Sequence, residues 1–142
     1  MACREQAAAL RPHIAGLKRD GVEVALSGSG APRHARAFRD QSGLEGALVL
    51  SDEPLESYRR AGFRQGALST FSPRAMVNYA RAVAAGFRQG KTQGAALQQG
   101  GVMVVDAAGS VRYRYASRVG GDHPPIDEVV AAARASAGLA AR

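Results

Sequence analysis

Val22-Glu23-Val24-Ala25-Leu26-Ser27-Gly28-Ser29-Gly30-Ala31-Pro32 is the stretch whose reading decides the fold class. Val22 to Leu26 is a short β-branched and apolar run, Ser27 to Gly30 is a glycine-rich turn, and Pro32 suits the first turn of a helix. Upstream, Ala7, Leu10, Ile14 and Leu17 fall at helical spacing between Arg4 and Asp20, and Gly21 ends that element. Pro12 interrupts it, which predicts a kink or a late start, because proline cannot donate to the carbonyl four residues back. Downstream, the second helix is expected to bury Ala35 and Phe38 and stop near Gly43.

Ala47 to Leu50 has the length and composition of a buried strand, and Asp52-Glu53-Pro54 after it reads as an N-cap and first turn. That short helix carries Leu55 and Tyr58 inward and ends at Gly62, with Phe63 placed to meet Tyr58 as a Schellman contact. Ser72 and Pro73 cap a longer helix, with Met76, Tyr79, Ala80 and Val83 expected on its inner face and Gly86 at its end; Gly90 to Gly100 reads as loop. Val102 to Val105 and Val111 to Tyr115 form an antiparallel hairpin around Asp106-Ala107-Ala108-Gly109-Ser110, Tyr113 and Tyr115 on one face and Arg112 and Arg114 on the other. A last helix starts at Asp122-His123-Pro124-Pro125, Asp122 as cap, and buries Ile126, Val129, Val130 and Ala133. This alternation predicts an α/β sandwich with some parallel strands. The string Gly-Phe-Arg-Gln-Gly occurs at Gly62 to Gly66 and at Gly86 to Gly90, each after a helix, so both copies read as glycine C-caps rather than as a repeat.

A chain of 142 residues fits one domain over 1–142, large enough to bury a core without staples. The net charge of +7 and pI near 10.5 raise the question of nucleic acid. Against it, the positive charge is scattered arginine, with no block of consecutive basic residues and little aromatic interleaving. The opening residues carry Arg4, Glu5 and Arg11 with no apolar leader core, and no stretch is long enough to span a bilayer. A single cysteine forbids an internal disulfide and fits a reducing compartment, so a soluble cytoplasmic protein is expected.

Val22 to Gly30 with Asp52 beyond imitates part of a dinucleotide-binding turn, but the third glycine position holds Arg33, which argues against a nucleotide. His13, His34 and His123 are far apart, so neither a metal nor another cofactor is expected. Asp127 and Glu128 sit on a helix beside solvent, and no Ser-His-Asp arrangement is present. Cys3, in Met1-Ala2-Cys3-Arg4-Glu5-Gln6, lies ahead of the first helical pattern. There the helix dipole and Arg4 both favour thiolate, as a thiol nucleophile needs; the alternative is an incidental cysteine at a frayed terminus.

Cys3-Arg4-Glu5-Gln6, Val-Ala-Leu-Ser-Gly-Ser-Gly, Leu50-Ser51-Asp52-Glu53-Pro54, Gln99-Gly100-Gly101-Val102 and Gly121-Asp122-His123-Pro124-Pro125 stand in an order and spacing that resemble the peroxiredoxin-like branch of the alkyl hydroperoxide reductase and thiol-specific antioxidant superfamily. The resemblance covers nearly the whole chain. It implies a thioredoxin-like three-layer sandwich with a mixed sheet, a Cys-x-x-Cys motif at the first helix, and thiol redox chemistry. Carried over residue by residue, it makes Cys3 catalytic, resolving the product of the first cysteine in the complete protein and acting as a one-cysteine nucleophile in the chain as given, and makes Arg4, Gln99, Gly100 and Gly101 substrate-binding. It further implies a peroxide or disulfide substrate and an external thiol reductant; a homo-oligomer is a separate expectation.

The chain departs from that pattern at its start. Relatives have a strand ahead of the motif, lying between the counterparts of Val22 to Leu26 and Val102 to Val105, and Cys3 matches the second cysteine of the pair. The first would fall immediately before Met1, so an internal methionine read as a start is the expectation, with the central strand missing. The alternative in another class is a catalytically silent interaction module, and nucleic-acid or nucleotide binding stands third.

Overall fold

A computed structural model of the chain describes residues 2–63, 72–86, 98–119 and 121–139. The elements run α1 (Ala2–Arg19), β1 (Ala25–Gly28), α2 (Pro32–Ser42), β2 (Leu48–Ser51), α3 (Glu56–Arg60), α4 (Pro73–Ala84), β3 (Gly101–Val105), β4 (Val111–Ala116) and α5 (Ile126–Ser136). This is the α/β alternation expected, and small sheets, one parallel and one antiparallel, with helices against them are consistent with a thioredoxin-like fold. The loop expected over 90–100 and the repeat residues 64–66 and 87–90 lie mostly or wholly outside the described residues.

α1 starts earlier than Arg4 and continues through Pro12, where a kink or a late start was expected. The reason is packing: Ala7, Ile14 and Leu17 on the opposite side are buried, whereas Pro12 faces solvent. Gly43 ends α2 in the left-handed conformation, φ 59°, which glycine adopts without steric cost. α2 itself fully buries no side chain: Ala35 and Phe38 are half-buried, Phe38 against the core.

β1 forms later than expected, over Ala25–Gly28 rather than from Val22, because a ladder needs a partner. β2 supplies one only from Leu48, whose N–H donates to the Val24 carbonyl at 2.8 Å. β1 and β2 pair in parallel, Ala25 opposite Leu48 and Gly28 opposite Ser51. β3 and β4 pair antiparallel, Gly101 opposite Ala116, with an irregularity between Val104 and Val105. Asp106 shapes the connecting turn: its Oδ1 accepts from Ala108 and Ser110 N–H, both at 2.9 Å, and its Oδ2 from Arg112 at 2.6 Å. Among the described residues the two pairs are separate two-stranded sheets, so β1 and β3 do not close onto each other. Since Val24 and Gly28 carbonyls serve β2, alternation turns the main-chain groups of Ala25 and Ser27 to the other edge. Likewise the Gly100 carbonyl accepts from Ser117, which turns Gly101 and Met103 to the free edge of β3.

One helix serves both sheets. Leu17 packs with Val104, Val130 and Ala133, while Ala7 and Ile14 pack with Leu44; Leu10 and Val24 touch both clusters. The opposite sheet faces are open, with Leu48, Leu50, Met103 and Val105 exposed. α4 is capped as expected, Ser72 Oγ accepting from Ala75 N–H at 3.2 Å. Its inner face is different from the expected one: Ala75 and Ala82 are buried, whereas Met76 and Val83 are each 58% exposed. α4 meets α1, where Arg81 pairs with Glu5, and the side chains it buries are small ones.

α3 is a single turn and a half that starts at Glu56, not at Asp52 to Pro54. Asp52 still satisfies its N-terminus from outside, accepting from Glu56 N–H at 3.0 Å and Ser57 N–H at 2.7 Å. Leu55 sits between them at φ 59°. The expected Schellman end is present: Phe63 N–H donates to the Tyr58 carbonyl, Gly62 N–H to that of Arg59, and the two rings meet edge-on at 6.1 Å. α5 buries Val129, Val130 and Ala133, but Asp122 is not its cap; Pro125 holds that position without a side-chain bond. Asp122 is instead buried and accepts from Tyr115 Oη at 2.7 Å and Arg118 N–H at 2.9 Å.

Candidate functional site

Cys3 lies on the first turn of α1, so the helix places its backbone at the positive end of the dipole; its side chain lies outside the described residues. Arg4, the next residue, is exposed and reaches α2, donating to Gln41 Oε1 at 3.4 Å. Glu5 turns the other way, onto α4, and pairs with Arg81 at 3.3 Å. Arg81 also donates to the Gly121 carbonyl at 3.4 Å, and Glu5 Oε2 is buried without a hydrogen-bond partner. With Gln6, Ala9, His123, Pro124 and Ile126 these side chains line a shallow groove along the N-terminal half of α1.

Gln99, Gly100 and Gly101 come together where the chain runs into β3. Gln99 is buried, and its carbonyl accepts from Gln98 Nε2 at 2.7 Å. Gly101 has no room for a side chain: a Cβ there would overlap the Tyr115 carbonyl and the Phe63 ring. Arg114 of β4 donates to the carbonyls of Ala61 and Gly62 at 2.9 and 2.8 Å, and Tyr58 Oη donates to the Ser27 carbonyl at 2.7 Å. The Tyr58 and Phe63 rings therefore bridge the free edge of β1 and the start of β3.

The turn after β1 does not read as a nucleotide cradle. Ser51 Oγ donates to the Gly30 carbonyl at 2.6 Å, and the Asp52 carboxylate, whose pKa is lowered chiefly by the Ser57 hydroxyl, is engaged by α3. Among the described residues, no three His, Cys, Asp or Glu side chains gather to hold a metal ion, and no helix is long and apolar enough to cross a membrane. Sequence reasoning missed the Glu5–Arg81 pair and the Tyr115–Asp122 bond. The first joins residues 76 positions apart, and no local pattern announces such a partner.

A family model described as AhpC/TSA antioxidant enzyme matches residues 9–119, well over half of the chain. The chain is 28% identical over 139 positions to "Thioredoxin-like protein AAED1, chloroplastic" of Arabidopsis thaliana, covering 92% of this chain and 56% of that protein. It thus spans little more than half the length of the curated relative it matches. No solved structure matches the chain. The α/β order, the helix that carries Cys3 and the family match over 9–119 lead to one statement: the chain belongs to the AhpC/TSA antioxidant enzyme family, whose fold is thioredoxin-like.

Proposed function

We propose that the chain is a thiol-dependent oxidoreductase that reduces peroxide or disulfide substrates through Cys3, within one thioredoxin-like domain over 1–142. The observation that carries this is the cysteine on the first turn of an 18-residue helix in a chain of this family. A thiol there is stabilised as thiolate by unsatisfied N–H groups and by the adjacent Arg4. With a peroxide, the thiolate sulfur attacks one oxygen. The S–O bond forms as the O–O bond breaks, sulfur is oxidised to sulfenate, and the leaving oxygen takes a proton as water or alcohol. An external thiol then attacks the sulfenic sulfur and releases water, and a second thiol reopens the mixed disulfide.

Arg4 and the Gln99, Gly100, Gly101 turn are the substrate-binding residues in this reading. The outward main-chain groups of Gly101, on an edge that β4 does not use, support the assignment, because they can hydrogen-bond an extended substrate. A reducing compartment, the cytoplasm in our reading, suits a lone thiol; the relative's own name says chloroplastic.

The test is peroxide consumption with dithiothreitol as reductant, beside the rate of alkylation of Cys3 at neutral pH. Loss of turnover in Cys3→Ser, with alkylation faster than a free cysteine, is expected. Unchanged turnover in Cys3→Ser sinks the enzyme reading. A second reading, a silent interaction module or homo-oligomer, is favoured by exposed Leu48, Leu50, Met103 and Val105.

A further inference from the structure

We propose that the exposed face of α1 carrying Arg4, Arg11 and Lys18 is a docking surface for a protein partner that presents a row of carboxylates. The cations of this chain are not equally available. Arg39, Arg60, Arg81, Arg112 and Arg134 each pair with a carboxylate, and Arg59 and Arg114 donate to main-chain carbonyls. Arg4 meets only the neutral Gln41, and no carboxylate among the described residues pairs with Arg11 or Lys18. Arg19, Arg33, Arg36 and Arg118 are also exposed without a carboxylate partner among the described residues, but they do not fall on the line that the three make along α1. All three are exposed.

Their spacing puts them in line. Positions seven apart drift by only about 20° around a helix, so the three form one stripe about 21 Å long. It follows the seam with the chain after α2, where the Arg11 side chain approaches Gly43 and that of Lys18 approaches Gly46. Glu45 flanks the stripe without an ion pair to it.

The surroundings select the occupant. A membrane surface calls for apolar side chains to insert, and among the described residues the exposed large apolar side chains lie elsewhere, none on α1 or α2. Nucleic acid calls for stacking groups or a denser cationic groove, and no exposed aromatic side chain accompanies the stripe. Carboxylates on a protein surface need neither. The stripe begins in the turn that holds Cys3, so a partner seated on it reaches that end of the helix. That this partner delivers the reducing thiol rests on the proposed function; the docking itself does not.

Poly-L-glutamate is the probe, with the protein in a Cys3→Ser background so that failure of docking leaves the thiol reading untouched. Arg11→Gln with Lys18→Gln is expected to weaken binding at least tenfold and to flatten its salt dependence. Arg59→Gln with Arg60→Gln, an equal loss of charge on α3, is expected to change binding less than twofold. Equal losses in the two variants overturn the proposal. Duplex DNA or phosphatidylserine vesicles binding more tightly than poly-L-glutamate, through Arg11 and Lys18, would overturn the choice of partner.

Discussion

Gly101 is where a single methyl group has the largest predicted effect. A Cβ there meets a backbone carbonyl and the Phe63 ring, neither of which can swing aside as a flexible side chain would. Gly101→Ala is expected to destabilise the protein by about 1–3 kcal/mol, as overpacking does, read by urea denaturation. Asp106 gives a prediction in pH. Its carboxyl is held below the ordinary value of 3.8, first by the Ser110 N–H and then by the Arg112 side chain. A lowered folded pKa stabilises above the ordinary value, and the contribution is lost as pH falls through the lowered one. Stability is therefore expected to be flat in this respect from pH 7 to about pH 5 and to drop below that. Asp106→Asn should remove this share of the acid limb while lowering stability at neutral pH, measured as thermal midpoint against pH.

Within α1, Pro12 stands at an exposed position of a helix that continues on both sides of it. Proline in a helix interior is about 3 kcal/mol worse than alanine, and about 0.4–1 kcal/mol returns through its stiffening of the unfolded chain. Pro12→Ala is thus expected to stabilise by about 2 kcal/mol, seen as a raised midpoint in chemical denaturation. The helix also illustrates what could be read from sequence. The stripe of Ala7, Leu10, Ile14 and Leu17, the Gly62 and Gly86 stops, the Ser72 cap and the Asp106 turn are local patterns, and each appears where its pattern put it. The inner face of α4 was not legible, since hydrophobicity favours Met76 and Val83 while the fold buries Ala75 and Ala82. Asp122 looked like a cap because of its place before a helix, and only the fold brings Tyr115 to it. Of the candidate site, the position of Cys3 on a helix N-terminus was legible, whereas the Glu5–Arg81 groove depends on contacts far apart in sequence.

At the scale of the molecule, two small sheets share one helix and leave apolar side chains on their far faces. Leu48 and Leu50 on β2 are expected to drive concentration-dependent self-association, read by sedimentation, and Leu48→Gln with Leu50→Gln to suppress it without loss of the thermal midpoint. A molecule that stayed monomeric at every concentration would remove the homo-oligomer reading. The core has a further consequence, for the order in which the chain can assemble. Leu17 is buried against Val104, Val130 and Ala133, and Arg134 reaches back to Asp20 at 2.8 Å. During synthesis from the N-terminus, α1 leaves the ribosome well before Val104, Val130 and Ala133, the buried residues that cover Leu17. Leu44 reaches Ala7 and Ile14 early, so it is the Leu17 end of α1 that waits, and a ribosome stalled before Val104 would hold a chain whose α1 is open to chaperones at that end.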